Sequence, residues 1–478
     1  MIFSSLSINL LGLAVVSTKV AAVPYDEYIL TPNPRTLVPA SVYNVNGSVT
    51  SSEALTAIGG SGSASFGPSS AVTYDFKKNI AGIVSFNIGS IDGDGDQFIG
   101  ISFTESSLWI NENGCDATGD AGIDEALWFP VMSGGYYKAE TQHQRDGTSV
   151  LTDGAKRDRL VWPGDIAISG PSVFVSTNDM ITIKNSLDSL LVLQNSSGAL
   201  PYAGIPFTTV LNTWSFTYHL HSLIDIHDYY LFTGDLEYLQ QHWGQFKLGM
   251  NFSLGFIDET KMANLPKDNP DWLRVGMGGH NIEANSILYY TLNLGTKLSK
   301  VLNDLAAMAS WSAKLYRDND SLPLTTLHPQ DGNAWAIFSG LVDSPSRALQ
   351  VSDSLAARWN QYGAPAPECG GNVVSPFVSV FEIQAHYLAG RADRAVKMIK
   401  FMWGDFMLDD PRMTNSTFIE GYSTDGTLHY APYANDPRVS HAHGWSTGPT
   451  SALTFHGAGL MVTSGAGKTW SVAPNLGG

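Results

Sequence analysis

Residues 153–165 concentrate side chains that can transfer protons, and they read Asp-Gly-Ala-Lys-Arg-Asp-Arg-Leu-Val-Trp-Pro-Gly-Asp. Three carboxylates, at Asp153, Asp158 and Asp165, stand among three cations, although charged residues make up only 15% of the chain. The two glycines and the proline of this segment disfavour a single continuous helix. The pattern therefore predicts a loop that opens near Asp165, and such a loop can aim several carboxylates into one cleft.

The alternative interpretation of residues 153–165 is a solvated charged turn. Trp162 lies in the segment with Leu160, Val161 and Ile166 around it. These apolar neighbours favour a segment that packs against the rest of the protein over one that is surrounded by water.

A second carboxylate far along the chain could act together with the first segment, because some acid–base reactions, glycoside hydrolysis among them, use two carboxyl groups. Glycoside hydrolysis uses one protonated carboxyl group, which gives a proton to the leaving oxygen, and one ionised carboxylate. Glu420 is the best candidate, because it stands between an apolar stretch and a glycine, ahead of a turn at Asp425-Gly426. A lone glutamate before a turn usually has a structural role, so its assignment depends on the upstream motif.

Two further segments carry candidate binding residues. Asp271-Trp272-Leu-Arg274 leads into a predicted helix that contains Glu283. Trp272 can stack on the apolar face of a sugar, and Glu283 can bind hydroxyls, or simply stabilise the first turn of its helix.

His441 and His443 belong to the second of these segments, Ser440-His-Ala-His-Gly-Trp-Ser446. They are two residues apart and would share one face of a strand, as some metal ligands do. No cysteine or third histidine accompanies them at the spacing of a metal site, so we predict neither a metal nor a cofactor. We expect His443 to form hydrogen bonds in a pocket and His441 to be structural.

Together these segments resemble the α-L-rhamnosidases of glycoside hydrolase family 78, in particular the secreted fungal type. The signature D-x-x-x-R-[E/D]-[R/K]-L-x-W-x-G-[D/E] matches residues 153–165. This chain departs from the common pattern in having Asp158 where Glu is more frequent, and Val161 and Pro163 where Gly and Thr are frequent. Ile419 also replaces a Trp that often precedes the second carboxylate.

The resemblance implies a role for each candidate. It makes Asp158 the general acid and Glu420 the general base that activates water. It implies that the remaining candidates bind the sugar, namely Asp153, Arg157, Trp162, Asp165, Trp272, Glu283, His443 and Trp445.

The order of patterns along the chain predicts an α+β multidomain protein. Runs such as 72–76 and 83–88 are rich in β-branched and aromatic residues, whereas helical spacing dominates after about residue 180. The predicted helices cover 212–233, 235–248, 281–305, 333–338, 346–359, 376–388 and 392–407. The number of helical hairpins is near that of an (α/α)6 barrel, and the resemblance implies this architecture. The expected domains are a signal peptide at 1–22, a β-sandwich-like domain at 23–150, the barrel at 151–455 and the start of a truncated β-domain at 456–478.

Net charge and short motifs limit the possible binding partners and predict the cellular location. The net charge of -17 argues against nucleic acid or an anionic membrane as partner. The family resemblance implies a carbohydrate substrate. An apolar N-terminal segment ending in small residues, and five Asn-x-Ser/Thr sequons at Asn46, Asn195, Asn251, Asn319 and Asn415, predict a secreted glycoprotein. Two cysteines do not form a disulfide framework, and the sequence does not fix the oligomeric state.

Three other functions fit the same barrel. A polysaccharide lyase needs a Tyr or His base, which would shift the emphasis from Glu420 to Tyr422 or His443. Other exo-glycosidases use the same scaffold. A carbohydrate-binding protein without catalysis would bind sugar and release no product.

Overall fold

The computed structural model describes residues 37–57, 62–80, 82–93, 96–112, 114–115, 124–138, 149–154, 160–204, 214–274, 277–312, 328–370 and 372–475. The predicted signal peptide, Arg157, Asp158 and the sequon at Asn319 lie outside these ranges.

Short antiparallel strand pairs occupy the described part of the chain before residue 150. The strands are β1 (Ser41–Asn46), β2 (Val49–Thr50), β3 (Ser65–Phe66), β4 (Ala71–Asp75), β5 (Ser85–Asn87), β6 (Gln97–Ile101), β7 (Gly114–Cys115), β8 (Asp124–Glu125), β9 (Leu127–Val131) and β10 (Tyr136–Lys138). They pair as β1 with β4, β2 with β3, β5 with β10, β6 with β9 and β7 with β8. Because each described ladder has two strands, the sandwich remains a prediction.

Helices dominate from residue 163 onward. They are α1 (Pro163–Ser176), α2 (Met180–Leu191), α3 (Phe216–Thr233), α4 (Leu236–Leu254), α5 (Ile282–Val301), α6 (Leu305–Ser312), α7 (Gln330–Phe338), α8 (Pro345–Ala356), α9 (Pro376–Leu388), α10 (Ala392–Met398) and α11 (Pro449–Ala452). The last two continue as π-helical turns, Ile399–Leu408 and Leu453–Gly457. Two strand pairs complete this region, β11 (Val373–Val374) with β12 (Tyr422–Ser423) and β13 (Leu460–Val462) with β14 (Trp470–Val472). Single 3-10 turns lie at Ser52–Leu55, Ser107–Trp109, Pro367–Cys369, Asp436–Arg438, Gly444–Ser446 and Gly465–Gly467.

The odd-numbered helices form a closed inner ring. Helix α1 packs on α3, α3 on α5, α5 on α7, α7 on α9, α9 on α11, and α11 returns to α1. The even-numbered helices lie outside this ring and bury a single stripe; α8, for example, buries Ala348, Ser352 and Leu355. Inner helices α3 and α9 bury most of their residues instead. This arrangement is the (α/α)6 barrel that the helix pattern predicted.

Local signals set the ends of these helices. The side chain of Ser215 accepts a hydrogen bond from Tyr218 N at the start of α3, and Gly234 ends that helix in the left-handed conformation with φ of 67°. The helix predicted over 212–233 therefore begins at Phe216, and Trp214 precedes it.

One end of the barrel is formed by the N-termini of the inner helices. Successive helices run antiparallel, so the inner helices are parallel to one another and their N-termini meet at the same end. That end holds Asp165, Glu283 and Asp331 in first helical turns, where the helix dipole favours negative charge. A cavity of about 490 Å³ lies at the other ends of α7 and α9, lined by residues such as Phe338 and Leu388.

Two further observations on the described residues concern membrane-spanning helices and the cysteine thiol. Among them, no helix combines the length and apolar character that crossing a membrane requires. Cys369 is a buried free thiol, and burial raises its pKa above the ordinary value.

Candidate active site

The loop of the predicted signature is anchored at both ends. Asp153 N donates a hydrogen bond to Leu160 O at 3.2 Å, and Leu160 N donates to Asp153 Oδ1 at 3.1 Å. Gly444 N also donates to Asp153 O at 2.6 Å, which attaches the loop to the histidine segment. Asp158 and Arg157 lie between the anchored ends, outside the described residues, so their roles remain predictions.

Close packing explains the two glycines of the signature. Gly154 forms a β-bridge with His443, and a Cβ atom on Gly154 would lie 2.9 Å from His443 Nδ1. A Cβ atom on Gly164 would lie 2.6 Å from the ring of Tyr218. Larger residues at either position would push the signature away from the elements that it contacts.

Glu420 is buried and is held in one orientation by hydrogen bonds from a tyrosine hydroxyl and a backbone amide. Its side chain is about 1% exposed; the Tyr433 hydroxyl donates to Oε1 and Ser440 N donates to Oε2 at 3.1 Å. Its backbone is fixed as well, because Glu420 N donates to Ser440 O at 2.8 Å and Trp445 Nε1 donates to Glu420 O at 2.8 Å. The loop that contains Ser440 and Trp445 therefore folds around Glu420 on two sides.

His443 connects Glu420 to the first carboxylate segment. Its Nε2 lies 3.1 Å from Asp165 Oδ1, and its Nδ1 lies 3.7 Å from Glu420 Oε2. The imidazole also packs on Trp445, with ring centroids 4.4 Å apart. Five predicted site residues, Asp153, Asp165, Glu420, His443 and Trp445, thus meet in one group that we call the Glu420 cluster.

Trp272 and Glu283 belong to a second group at the same end of the barrel. Trp272 Nε1 donates to Glu283 Oε1 at 3.1 Å, and Arg274 Nη1 contacts Glu283 Oε2 at 3.2 Å and Asp331 Oδ2 at 2.7 Å. Glu368 accepts hydrogen bonds from the first amides of α7, those of Gln330 and Asp331, at 2.9 Å each. The group of Asp271, Trp272, Arg274, Glu283, Asp331 and Glu368 is called the Arg274 cluster.

Burial controls ionisation in the Arg274 cluster. Burial, followed by the charges of Asp271 and Asp331, raises the pKa of Glu283 well above its ordinary value, although Arg274 opposes this shift. Burial also raises the pKa of Glu368 to about 8 and that of Asp271 to about 6. For these three acids, burial therefore opposes ionisation more strongly than the single guanidinium favours it.

Aromatic rings join the two clusters. Phe377 lies between Trp272 and Trp445, with ring centroids 5.7 Å and 5.4 Å away. Burial raises the pKa of Tyr218 well above its ordinary value, and the charges of Asp165 and Asp271 add to the shift. Charges from both clusters therefore act on the same tyrosine.

The remaining candidates can now be placed. Trp162 packs edge-on against Tyr202 at 4.8 Å, beside the Glu420 cluster. Trp272 and Glu283 are each about 1% exposed and bond to one another, so their sugar contacts stay predictions. Tyr422 is buried and donates to Tyr362 O at 2.7 Å, which gives no support to its use as a lyase base.

Sequence reasoning did not identify Tyr433, Ser440, Asp331 and Glu368. Each comes from a different part of the chain from the side chain that it holds, and no local motif marks Asp331 or Glu368. The aromatic run around Tyr433, His429-Tyr-Ala-Pro-Tyr433, was the one available signal.

Paired helices in a closed ring and buried carboxylates at one end define a six-hairpin glycosidase, a class of glycoside hydrolases. Residues 141–370 match the family described as the bacterial alpha-L-rhamnosidase 6 hairpin glycosidase domain. The matched region is just under half of the chain, and it agrees with the resemblance of residues 153–165 to the α-L-rhamnosidases of glycoside hydrolase family 78.

Solved structures share the fold at low sequence identity. A Klebsiella oxytoca rhamnosidase with rhamnose bound superimposes with a TM-score of 0.65 at 14% identity, over 87% of this chain and 94% of that one. A Streptomyces avermitilis alpha-L-rhamnosidase complexed with L-rhamnose gives 0.62 at 14%, over 84% and 43%. The Aspergillus terreus enzyme gives 0.58 at 16%, over 88% and 54%. This chain thus spans about half the length of the latter two, and no curated protein sequence matches it.

Proposed function

We propose that this protein is a secreted, inverting glycoside hydrolase that releases terminal α-L-rhamnose from glycosides or plant polysaccharides. The observation that carries the proposal is the fixed Glu420 carboxylate, which lies beside His443, while His443 contacts Asp165 and the neighbouring Gly444 is bonded to Asp153. The Klebsiella and Streptomyces enzymes, whose structures contain rhamnose, support the choice of sugar.

Each carboxyl group has a separate step in this mechanism. Asp158 gives its proton to the glycosidic oxygen as the bond to the anomeric carbon breaks. Glu420 takes a proton from the water that attacks the opposite face of the sugar ring. Inversion requires a separation of roughly 6.5–9.5 Å between such groups, because the water must fit between the base and the sugar.

Hydrogen bonding explains why Glu420 suits the role of base. Tyr433 and Ser440 donate to its two oxygens, and these bonds hold the carboxyl group in the fixed direction that proton transfer from a water requires. His443 keeps Asp165 beside Glu420, so both oxygen-rich side chains lie on the same wall of the site.

Exposed sequons support secretion. Asn46, Asn195, Asn251 and Asn415, the acceptors within the described residues, are all exposed, as glycosylation requires. Mass spectrometry of the protein secreted from a eukaryotic host would show glycans at these positions; retention of unmodified protein inside the cell would contradict the proposal.

Substitution of the two carboxyl groups tests the catalytic assignment. We expect Asp158→Asn and Glu420→Gln each to lower kcat on an aryl α-L-rhamnoside by about 10²–10⁴-fold. Glu237→Gln, an exposed change on α4, is the matched control and should retain full activity. Turnover close to wild type in both active-site variants would contradict the assignment.

Product stereochemistry tests the inverting step. Proton NMR during the first turnovers should show β-L-rhamnose before it equilibrates, and α-L-rhamnose as the first product would contradict inversion. Binding of rhamnose without turnover would instead indicate a binding protein, and absorbance from an unsaturated uronate would indicate a lyase.

A further inference from the structure

Two residues of the strand region, Asn79 and Glu105, form hydrogen bonds with loops next to the Glu420 cluster. Glu105, which follows β6, accepts a hydrogen bond from His441 N at its Oε2 atom, 2.9 Å away. Its other oxygen, Oε1, accepts from Asn79 Nδ2 at 2.8 Å. Asn79 follows β4, so both residues lie outside the barrel that carries the predicted chemistry.

Asn79 and Glu105 complete a ring of hydrogen bonds with two barrel loops. Asn79 Nδ2 also lies 3.2 Å from Thr417 Oγ1, and Thr417 Oγ1 donates to His441 O at 2.7 Å. Asn79 N donates to Ser416 Oγ at 2.7 Å and adds a further attachment to the first loop. The ring therefore ties residues 416–417 to His441, and we call it the interdomain clamp.

Both loops held by the clamp determine where the Glu420 carboxylate lies. Thr417 precedes Glu420 by three residues along the same loop. His441 follows Ser440, whose backbone amide donates to Glu420 Oε2 and whose carbonyl accepts from Glu420 N. A shift of either loop would move the carboxylate or its donor.

We propose that Glu105 is a positioning residue for the reaction, acting on Glu420 through the loop of Ser440 and His441. This inference rests on the proposed function of Glu420. A carboxylate is suited to the position, because it offers acceptors in two directions and receives one donor from each side of the interface. The strand region would thus be required for turnover, although it supplies none of the predicted catalytic side chains.

A conservative substitution at Glu105 tests this role. Glu105→Gln keeps the size of the side chain but turns an NH2 group towards one of its two donors, so one bond of the clamp is lost. Misplacement of a reacting group by about 1 Å costs up to about 100-fold in rate, and we expect kcat to fall by about tenfold with KM changed less than about twofold. Glu53→Gln, an exposed change in the same region, is the control.

A double variant separates positioning from a general loss of structure. In the Glu420→Gln background, Glu105→Gln should lower the residual kcat no further, because the group that it positions is already absent. The inference is overturned if Glu105→Gln has wild-type kcat, if the change appears in KM alone, or if the two effects multiply.

Hydrogen exchange gives a measurement that does not depend on the substrate. We expect Glu105→Gln to increase amide exchange in a peptide covering residues 436–446 by about tenfold, whereas Glu53→Gln leaves it unchanged. If wild-type protein releases no rhamnose but this exchange is accelerated, the proposed activity fails and the clamp stands. Unchanged exchange together with unchanged kcat would refute the clamp alone.

Discussion

The Glu420 cluster and the Arg274 cluster occupy the same end of the barrel but stabilise carboxyl groups differently. Glu420 is surrounded by a hydroxyl, a backbone amide and an imidazole. The Arg274 cluster places one guanidinium among Asp271, Glu283, Asp331 and Glu368. Hydrogen bonds from a hydroxyl and an amide fix the direction of a carboxylate, whereas a cation shared among several acids must compensate for more than one buried charge.

The difference also follows from the elements that carry each cluster. Glu420, Ser440 and His443 lie on loops outside the inner helices, and loops commonly carry functional residues. Glu283 and Asp331 lie in the first turns of inner helices, where movement would disturb the ring of helices. We therefore expect changes in the Arg274 cluster to affect stability and changes in the Glu420 cluster to affect turnover.

The largest effect is expected at Arg274. Arg274→Met removes the cation and leaves several buried carboxyl groups without it, a change that typically costs about 3–5 kcal/mol of unfolding free energy. Urea denaturation at neutral pH measures this loss. Lys247→Met breaks the partly exposed pair with Asp304 and should cost less than about 1 kcal/mol. Equal losses in the two variants would remove the distinction between the clusters.

A smaller effect, confined to catalysis, is expected at Tyr433. Tyr433→Phe removes the hydroxyl that donates to Glu420 Oε1, so the carboxylate loses one of its two fixed donors. We expect kcat to fall by about tenfold, equivalent to about 1.4 kcal/mol, while the urea midpoint stays close to wild type. Tyr229→Phe, which removes a hydroxyl that donates to Asp235 at the distant end of α3, should not change kcat. A stability loss without a kinetic loss would assign Tyr433 to the core.

The sequence predicted the helices more closely than the contacts between them. The prediction for 376–388 coincides with Pro376–Leu388, because a proline at the start and Gly390 after the end mark its limits. Helix α7 begins at Gln330, three residues before its predicted start, since the capping carboxylate of Glu368 is distant in sequence. Backbone signals act locally and can be read from the chain, whereas capping by a remote side chain cannot.

The same distinction applies to the site. The signature and the His-Gly-Trp-Ser segment indicated Asp165, His443 and Trp445, since each belongs to a long motif. Tyr433 and Ser440 escaped prediction because they act on Glu420 through a loop closure that only the fold creates. The clamp of Asn79 and Glu105 was equally hidden, as its partners lie 336 to 338 residues away.

The smallest effect at neutral pH is expected for Glu283→Gln. The pKa of Glu283 is raised above its ordinary value of 4.5, so the folded protein retains a proton that the unfolded chain releases. An uncharged amide resembles this protonated carboxyl group, and we expect the unfolding free energy at pH 7 to change by less than about 1 kcal/mol.

The pH dependence of stability distinguishes Glu283→Gln from wild type. Because the folded state binds more protons above about pH 4.5, the contribution of Glu283 to stability is complete at lower pH and declines as the pH rises towards its folded pKa. Glu368 and Asp271 act in the same sense, so the wild-type unfolding free energy should fall between about pH 5 and pH 8, and the Glu283→Gln variant should show a shallower fall. A slope identical to wild type, or a loss of several kcal/mol at pH 7, would mean that Glu283 is ionised and paired with Arg274. The Arg274 cluster would then neutralise its acids by charge pairing instead of by holding a proton.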